Sequence, residues 1–101
     1  MRPIKFYVAG VKFYNLHKVS HKMNEGDSVQ LVLEPTNKYD EFAVRVQLDD
    51  VMLGYIPKAF SEGVSKAIAS GKTLSAKISY LRPELEPWNA LNIEIEEEPN
   101  E

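Results

Sequence analysis

The chain has 101 residues, 44% of them hydrophobic, with no cysteine and a formal net charge of −3. That length suits one domain around a single modest core. The lack of cysteine excludes disulfides and thiolate metal sites and favours a cytoplasmic setting, and neither a membrane span nor a secretory leader is legible in the sequence.

Residues 4–14 alternate Ile4, Phe6 and Val8 with Lys5, Tyr7 and Ala9, which predicts a strand bulged or kinked at Gly10. The polar stretch 15–27 reads as a connecting loop. Val29, Leu31 and Leu33 share one face of a strand over Ser28–Glu34. A tight polar turn, Pro35–Glu41, leads into a strand over Phe42–Leu48 with Phe42, Val44, Val46 and Leu48 inward. Asp49 and Asp50 then reverse the chain into a hairpin strand over Val51–Ile56.

Pro57 suits the first turn of a helix, where its missing N–H is not needed. Phe60, Val64, Ala67 and Ile68 keep helical spacing as a core stripe, and Gly71 sits where such a helix stops. Leu74–Leu81 alternates again, residues 83–87 read as a loop, and Ala90–Ile95 closes the pattern. The segment 97–101 reads as a frayed acidic tail, leaving 1–96 as one domain. The expected fold is mainly β: a small, partly open β-barrel of OB or SH3 type, about six strands, with one or two short α-helices. Repeated helices between strands, which a parallel sheet needs, are absent.

Charge is unevenly placed. All 12 Lys and Arg lie in residues 1–82 with 8 Asp and Glu, a balance of +4, while residues 83–101 hold 7 acidic residues and no base. A mildly basic body permits phosphate binding without demanding it, and the affinity such charge supplies is modest.

The turn from Pro35 to Glu41 carries Asn37, Tyr39 and Asp40. Asn and Asp shape turns by bonding their own backbone, and a Tyr ring packs readily on a barrel rim. The same groups have a second use. A rim Tyr stacks on a nucleobase, typically worth about 1–3 kcal/mol, and an ionised carboxylate accepts a hydroxyl proton while repelling phosphate. Together they suit a strand terminus rather than a sequence. In Lys12–Phe13–Tyr14, adjacent strand residues face opposite sides, so one ring is expected in the core. Leu53–Gly54–Tyr55–Ile56–Pro57–Lys58 runs a strand into a helix start, where unpaired N–H groups and Lys58 favour an anion; the plainer reading is that Tyr55 packs on the rim and Lys58 is solvated. His17 and His21 are four apart but lack a third ligand, so no metal is expected. No nucleophile elbow, cysteine nucleophile or phosphate-binding Gly loop is present, so no enzyme is expected.

Ala9–Tyr14, Leu33–Val44 and Leu53–Lys58 together resemble the HIRAN domain, over residues 4–80. That family is a small β-barrel module whose best-understood members bind the free 3′ end of single-stranded DNA. The resemblance implies a pocket for the 3′-terminal nucleotide built from Asn37, Tyr39 and Asp40. Asp40 would accept from the 3′ hydroxyl, Phe13 and Tyr39 would stack, and Lys12 and Lys58 would hold phosphates. Tyr14 and Tyr55 complete the candidate set. This chain has Lys38 where Pro is frequent, Lys12 where some relatives carry Arg, and Phe13 where they carry Tyr; loss of the planar guanidinium fork implies weaker end-binding. The implied role is in DNA repair or replication-fork processing, beside a helicase or nuclease partner and without a small-molecule cofactor. Relatives carry ATPase or nuclease domains whose machinery these residues lack, so no hydrolase activity carries over. A different reading is a peptide-interaction module using Tyr7, Tyr14, Tyr39, Tyr55 and Trp88.

Overall fold

In the computed structural model, which describes residues 2–99, the two-residue alternation of burial builds β1 (Ile4–Tyr7), β2 (Ser28–Leu33), β3 (Val44–Leu48), β4 (Val51–Tyr55), β5 (Leu74–Leu81) and β6 (Leu91–Glu97). Phe6 faces inward between exposed Lys5 and Tyr7, and Leu91, Ile93 and Ile95 are fully buried along β6. The strands form one antiparallel six-stranded sheet in the order β1-β6-β5-β2-β3-β4. Strand twist curls this sheet into a half-barrel around an apolar core.

The two ends of that order meet at a seam. Just past β1, the Ala9 N–H donates to the Tyr55 carbonyl at 2.8 Å, and the Tyr55 N–H returns a bond of 2.9 Å. Gly54 makes this approach possible: a Cβ there would lie 2.4 Å from the Ala9 carbonyl oxygen and 2.7 Å from the Val8 side chain. Any larger residue would push the seam open.

Helix α2 (Lys58–Ala69) follows β4, with Pro57 as its N-cap. It buries Ser61 and Val64, and Phe60 stacks on Phe6 with ring centroids 5.2 Å apart. It ends in a Schellman motif: the Gly71 N–H bonds the Ile68 carbonyl, the Lys72 N–H bonds the Ala67 carbonyl, and Gly71 takes φ 94°.

Three expectations need correction. The first strand stops at Tyr7; Gly10 adopts a left-handed φ of 74°, and the chain turns into a 3-10 turn over Val11–Phe13. Residues 15–27 are not all loop. They hold α1 (Leu16–Val19) and a second 3-10 turn, Ser20–Lys22, because Val11, Leu16, Val19 and Met23 bury themselves over one end of the barrel. Finally, β3 begins at Val44, leaving Phe42 half-buried beneath Lys66, whose ammonium lies 5.5 Å from the ring centre. β6 continues to Glu97, opposite Leu74; residues 100 and 101 of the expected tail lie outside the described residues.

Candidate functional site

The segment joining β2 to β3 is two successive turns rather than one tight reversal. The Asn37 N–H bonds the Glu34 carbonyl at 3.1 Å, and the Ala43 N–H bonds the Asp40 carbonyl at 3.0 Å. Asn37 organises the first turn with its side chain. Its Oδ1 accepts from the N–H groups of Tyr39 (2.8 Å) and Asp40 (3.1 Å), and its Nδ2 donates to Glu34 Oε1 at 2.9 Å. The Tyr55 hydroxyl, two strands away on β4, donates to the same Glu34 oxygen at 2.8 Å and lies 3.4 Å from Asn37 Nδ2. Arg45 on β3 sits 3.4 Å from the other Glu34 oxygen. The Asn37 bond first, then Tyr55 and Arg45, hold the Glu34 carboxyl below its ordinary value, against the opposing effect of burial. Burial, and after it the bond to Glu34, push the Tyr55 phenol well above its usual value. The Tyr14 ring stands edge-on to Tyr55 at 6.0 Å.

Asp40 ties the turn to α2. Its Oδ2 accepts from the buried Ser61 hydroxyl at 2.6 Å, and its Oδ1 accepts from the Phe42 N–H at 2.9 Å. The Ser61 bond, then the Phe42 amide and the Lys58 charge, lower the Asp40 pKa, again against burial. A carboxylate offers about four lone-pair positions, so two such bonds leave room for another donor. The Lys58 ammonium reaches the Tyr39 carbonyl at 3.5 Å. The Tyr39 ring itself is 86% exposed.

These elements enclose a depression of about 310 Å³ lined by Ala9, Asn37, Tyr39, Asp40, Tyr55 and Lys58. A second depression, about 180 Å³, lies over Gly10, Lys12, Phe13, Pro87 and Trp88. Ala9 lines both, so the two adjoin at the seam. Phe13 is 73% and Trp88 64% exposed, and the Lys12 ammonium sits 4.9 Å above the Phe13 ring centre. A cleft of about 450 Å³ shares Asn37, Tyr39, Asp40 and Lys58 with the first depression; around it Asp40, Glu41 and Glu62 outnumber Lys38 and Lys58, which disfavours a polyanion there.

Asn37, Tyr39, Asp40, Tyr55 and Lys58 therefore converge, while Lys12 and Phe13 form the neighbouring ledge. Phe13 and Tyr14 do not split between two faces of a strand: Phe13 points outward from the 3-10 turn, and Tyr14 is half-buried against Tyr55. The sequence reading missed Glu34 and Ser61. Ser61 leaves a trace, three residues before Val64 on the buried face of α2; Glu34 reads only as a strand end. Trp88, read only as an exposed aromatic, joins Phe13 through the 3-10 turn Pro87–Asn89. Among the described residues no three His, Asp or Glu side chains cluster as metal ligands, and no helix is long and apolar enough to cross a membrane.

The fold and this seam define a class: a small antiparallel half-barrel with a pocket of mainly apolar walls rimmed by polar side chains, and an aromatic ledge beside it, where its sheet closes. The chain belongs to the HIRAN domain family, whose model matches residues 2–98. In fold it is similar to the HIRAN domain of human HLTF, with a TM-score of 0.67 and 16% identity over 92% of this chain and 70% of that one. It is also similar to a protein from Lactobacillus plantarum, with a TM-score of 0.79 and 20% identity over 93% of each chain. No curated protein matches it in sequence.

Proposed function

We propose that this chain is a non-enzymatic module that binds single-stranded DNA and takes a free 3′-hydroxyl end into the seam pocket. One observation carries the reading. Five side chains from β4, the start of α2 and the β2–β3 turn line one depression, and the most exposed among them is the Tyr39 ring.

The chemistry follows from the placement. Tyr39 stacks on the terminal base, and Asp40, ionised and held by Ser61, accepts the proton of the terminal hydroxyl. A terminal phosphate in that position would bring two anions into contact. Lys58 holds the first phosphate. Asn37 acts as a positioning residue, since the turn's own N–H groups already engage its oxygen. The strand leaves across Ala9 onto Phe13 and Trp88, where Lys12 meets the next phosphate. Stacking tolerates any base. Two or three phosphate contacts give a log–log salt slope of roughly −1.4 to −2.1 for a single strand.

A place in DNA repair or fork processing, beside a helicase or nuclease partner, belongs to the same reading. The largely apolar lining of both depressions supports one other occupant, a peptide, which would bind with little salt dependence. The test is fluorescence anisotropy with labelled oligonucleotides that differ only in a 3′ hydroxyl or a 3′ phosphate. Tighter binding of the hydroxyl, abolished by Asp40→Ala, is expected. Equal affinity for both ends would falsify end recognition.

A further inference from the structure

We infer that a bound strand continues past the seam onto the outer face of the sheet, along a row made by Tyr7, Asn92 and Tyr80 and ending at Arg82. This rests on the DNA-binding reading above and adds a second surface to it.

The row is built by strand register. Tyr7 of β1 and Tyr80 of β5 both lie opposite Asn92 of β6, the strand between them. The Tyr80 side chain reaches this face only because of a bulge. Along β5, Lys77 is exposed and Ile78 buried, so unbroken alternation would send Tyr80 inward; the register shift between Ile78 and Tyr80 re-aims it outward. The displaced Ser79 hydroxyl donates to Asn92 Oδ1. The Asn92 amide nitrogen has no hydrogen-bond partner among the described residues.

Chemistry and position both point to a nucleic-acid strand. Tyr7 is 40% exposed, its ring meets Tyr80 edge-on at 6.3 Å, and the Arg82 guanidinium lies 5.0 Å over the Tyr80 ring. Cross-strand aromatic pairs also occur simply as sheet stabilisers worth about 0.2–1 kcal/mol. Here the pair begins two residues before Ala9, about 7 Å along an extended strand from the residue that both depressions share. The charge beside the row is mixed. The next row is Lys5, Glu94 and Lys77, and beyond it Glu96 faces Ser75. That neighbouring row carries two bases against one acid, so the outer face stays open to phosphate beside the tyrosines, with Arg82, itself 3.4 Å from Glu25, at the far end of their row.

The experiment measures affinity for 3′-hydroxyl oligothymidylates of about 3, 6 and 12 nucleotides, lengths spanning the footprints of comparable barrels. Affinity should rise about 10-fold from the shortest to the longest. The double variant Tyr7→Ser, Tyr80→Ser should remove most of that rise while keeping the affinity for the shortest ligand and its preference for the hydroxyl. Arg82→Gln, a change confined to an exposed side chain, should reduce the salt slope for the longest ligand by about 0.7 and leave the shortest unchanged. A length dependence that survives in the double variant, or no length dependence at all, overturns the track. Loss of the hydroxyl preference with the length dependence intact would instead overturn the pocket.

Discussion

The two halves of the seam are held by different forces. On the pocket side, side-chain hydrogen bonds fix the turn: Asn37 spans two backbone N–H groups and Glu34, Glu34 reaches Tyr55, and Asp40 reaches Ser61. On the ledge side, Phe13 and Trp88 are mostly exposed, and the one polar contact to a ring is Lys12 over Phe13. A pocket whose polar rim groups are held in place discriminates between chemically similar ends, because those groups lose little freedom on binding. Exposed rings make a platform that accepts any base but selects none. Under the proposed DNA-binding reading, the difference gives selectivity to the turn and sequence-tolerant affinity to the ledge.

Gly54→Ala strikes the seam both halves share and should have the largest effect. The new methyl would meet the Ala9 carbonyl and the buried Val8 side chain, so the seam must shift. Overpacking of this kind destabilises by about 3 kcal/mol, a fall in Tm of roughly 15 °C for a domain of this size. Both the hydroxyl preference and ledge stacking should suffer together. A variant with wild-type Tm and binding would show that the two halves are independent. Asn37→Ala comes next. It removes a cap-like acceptor and leaves Glu34 with one donor fewer, so stability should drop by about 1–2 kcal/mol. Hydroxyl selectivity should fall more than total affinity; equal falls in titrations of the two end chemistries would break the division of labour.

Much of this fold was legible in the sequence because it is local. β5 matches its expected bounds, and the helix after Pro57 ends where Gly71 supplies a left-handed residue. The first strand failed for a nonlocal reason. Its apolar alternation continues in the letters past Tyr7, but Gly10 turns the chain so that Val11, Leu16 and Val19 cover the barrel end. The Asn37–Tyr39–Asp40 turn was readable as a group, since those residue types carry their chemistry with them. What fixes them was not. The Tyr55–Glu34 and Ser61–Asp40 bonds each join residues 21 apart on different elements, and no periodicity announces a side-chain contact between them.

A smaller effect separates the ledge from the pocket. Phe13→Ala and Trp88→Ala should each weaken binding by about 1–3 kcal/mol for oligonucleotides long enough to reach them. Both rings are exposed, so stability should change by no more than the ~0.5 kcal/mol typical of surface changes. The ratio of affinities for hydroxyl and phosphate ends should stay at its wild-type value. A changed ratio would place one of these rings in the terminal pocket.

The smallest expected effect is that of pH, and its sign separates ligand from protein. The second ionisation of a terminal phosphate has a pKa near 6, so such an end carries about −2 at pH 7.5 and about −1 at pH 5. Asp40, held below the ordinary carboxylate pKa of about 3.9 by Ser61, the Phe42 amide and Lys58, stays ionised across that window. Repulsion therefore weakens only because the ligand loses charge. The preference for the hydroxyl end should shrink a few-fold between pH 7.5 and 5, while affinity for the hydroxyl end itself stays flat. Below that window the protein takes over. Asp40 and Glu34 both have depressed folded pKa values, so the stability they contribute is present above the unfolded carboxylate range and is lost as pH falls through the folded values. Asp40→Asn should show no end preference at any of these pH values. A wild-type preference that grew on acidification would mean that a group other than Asp40 faces the strand terminus.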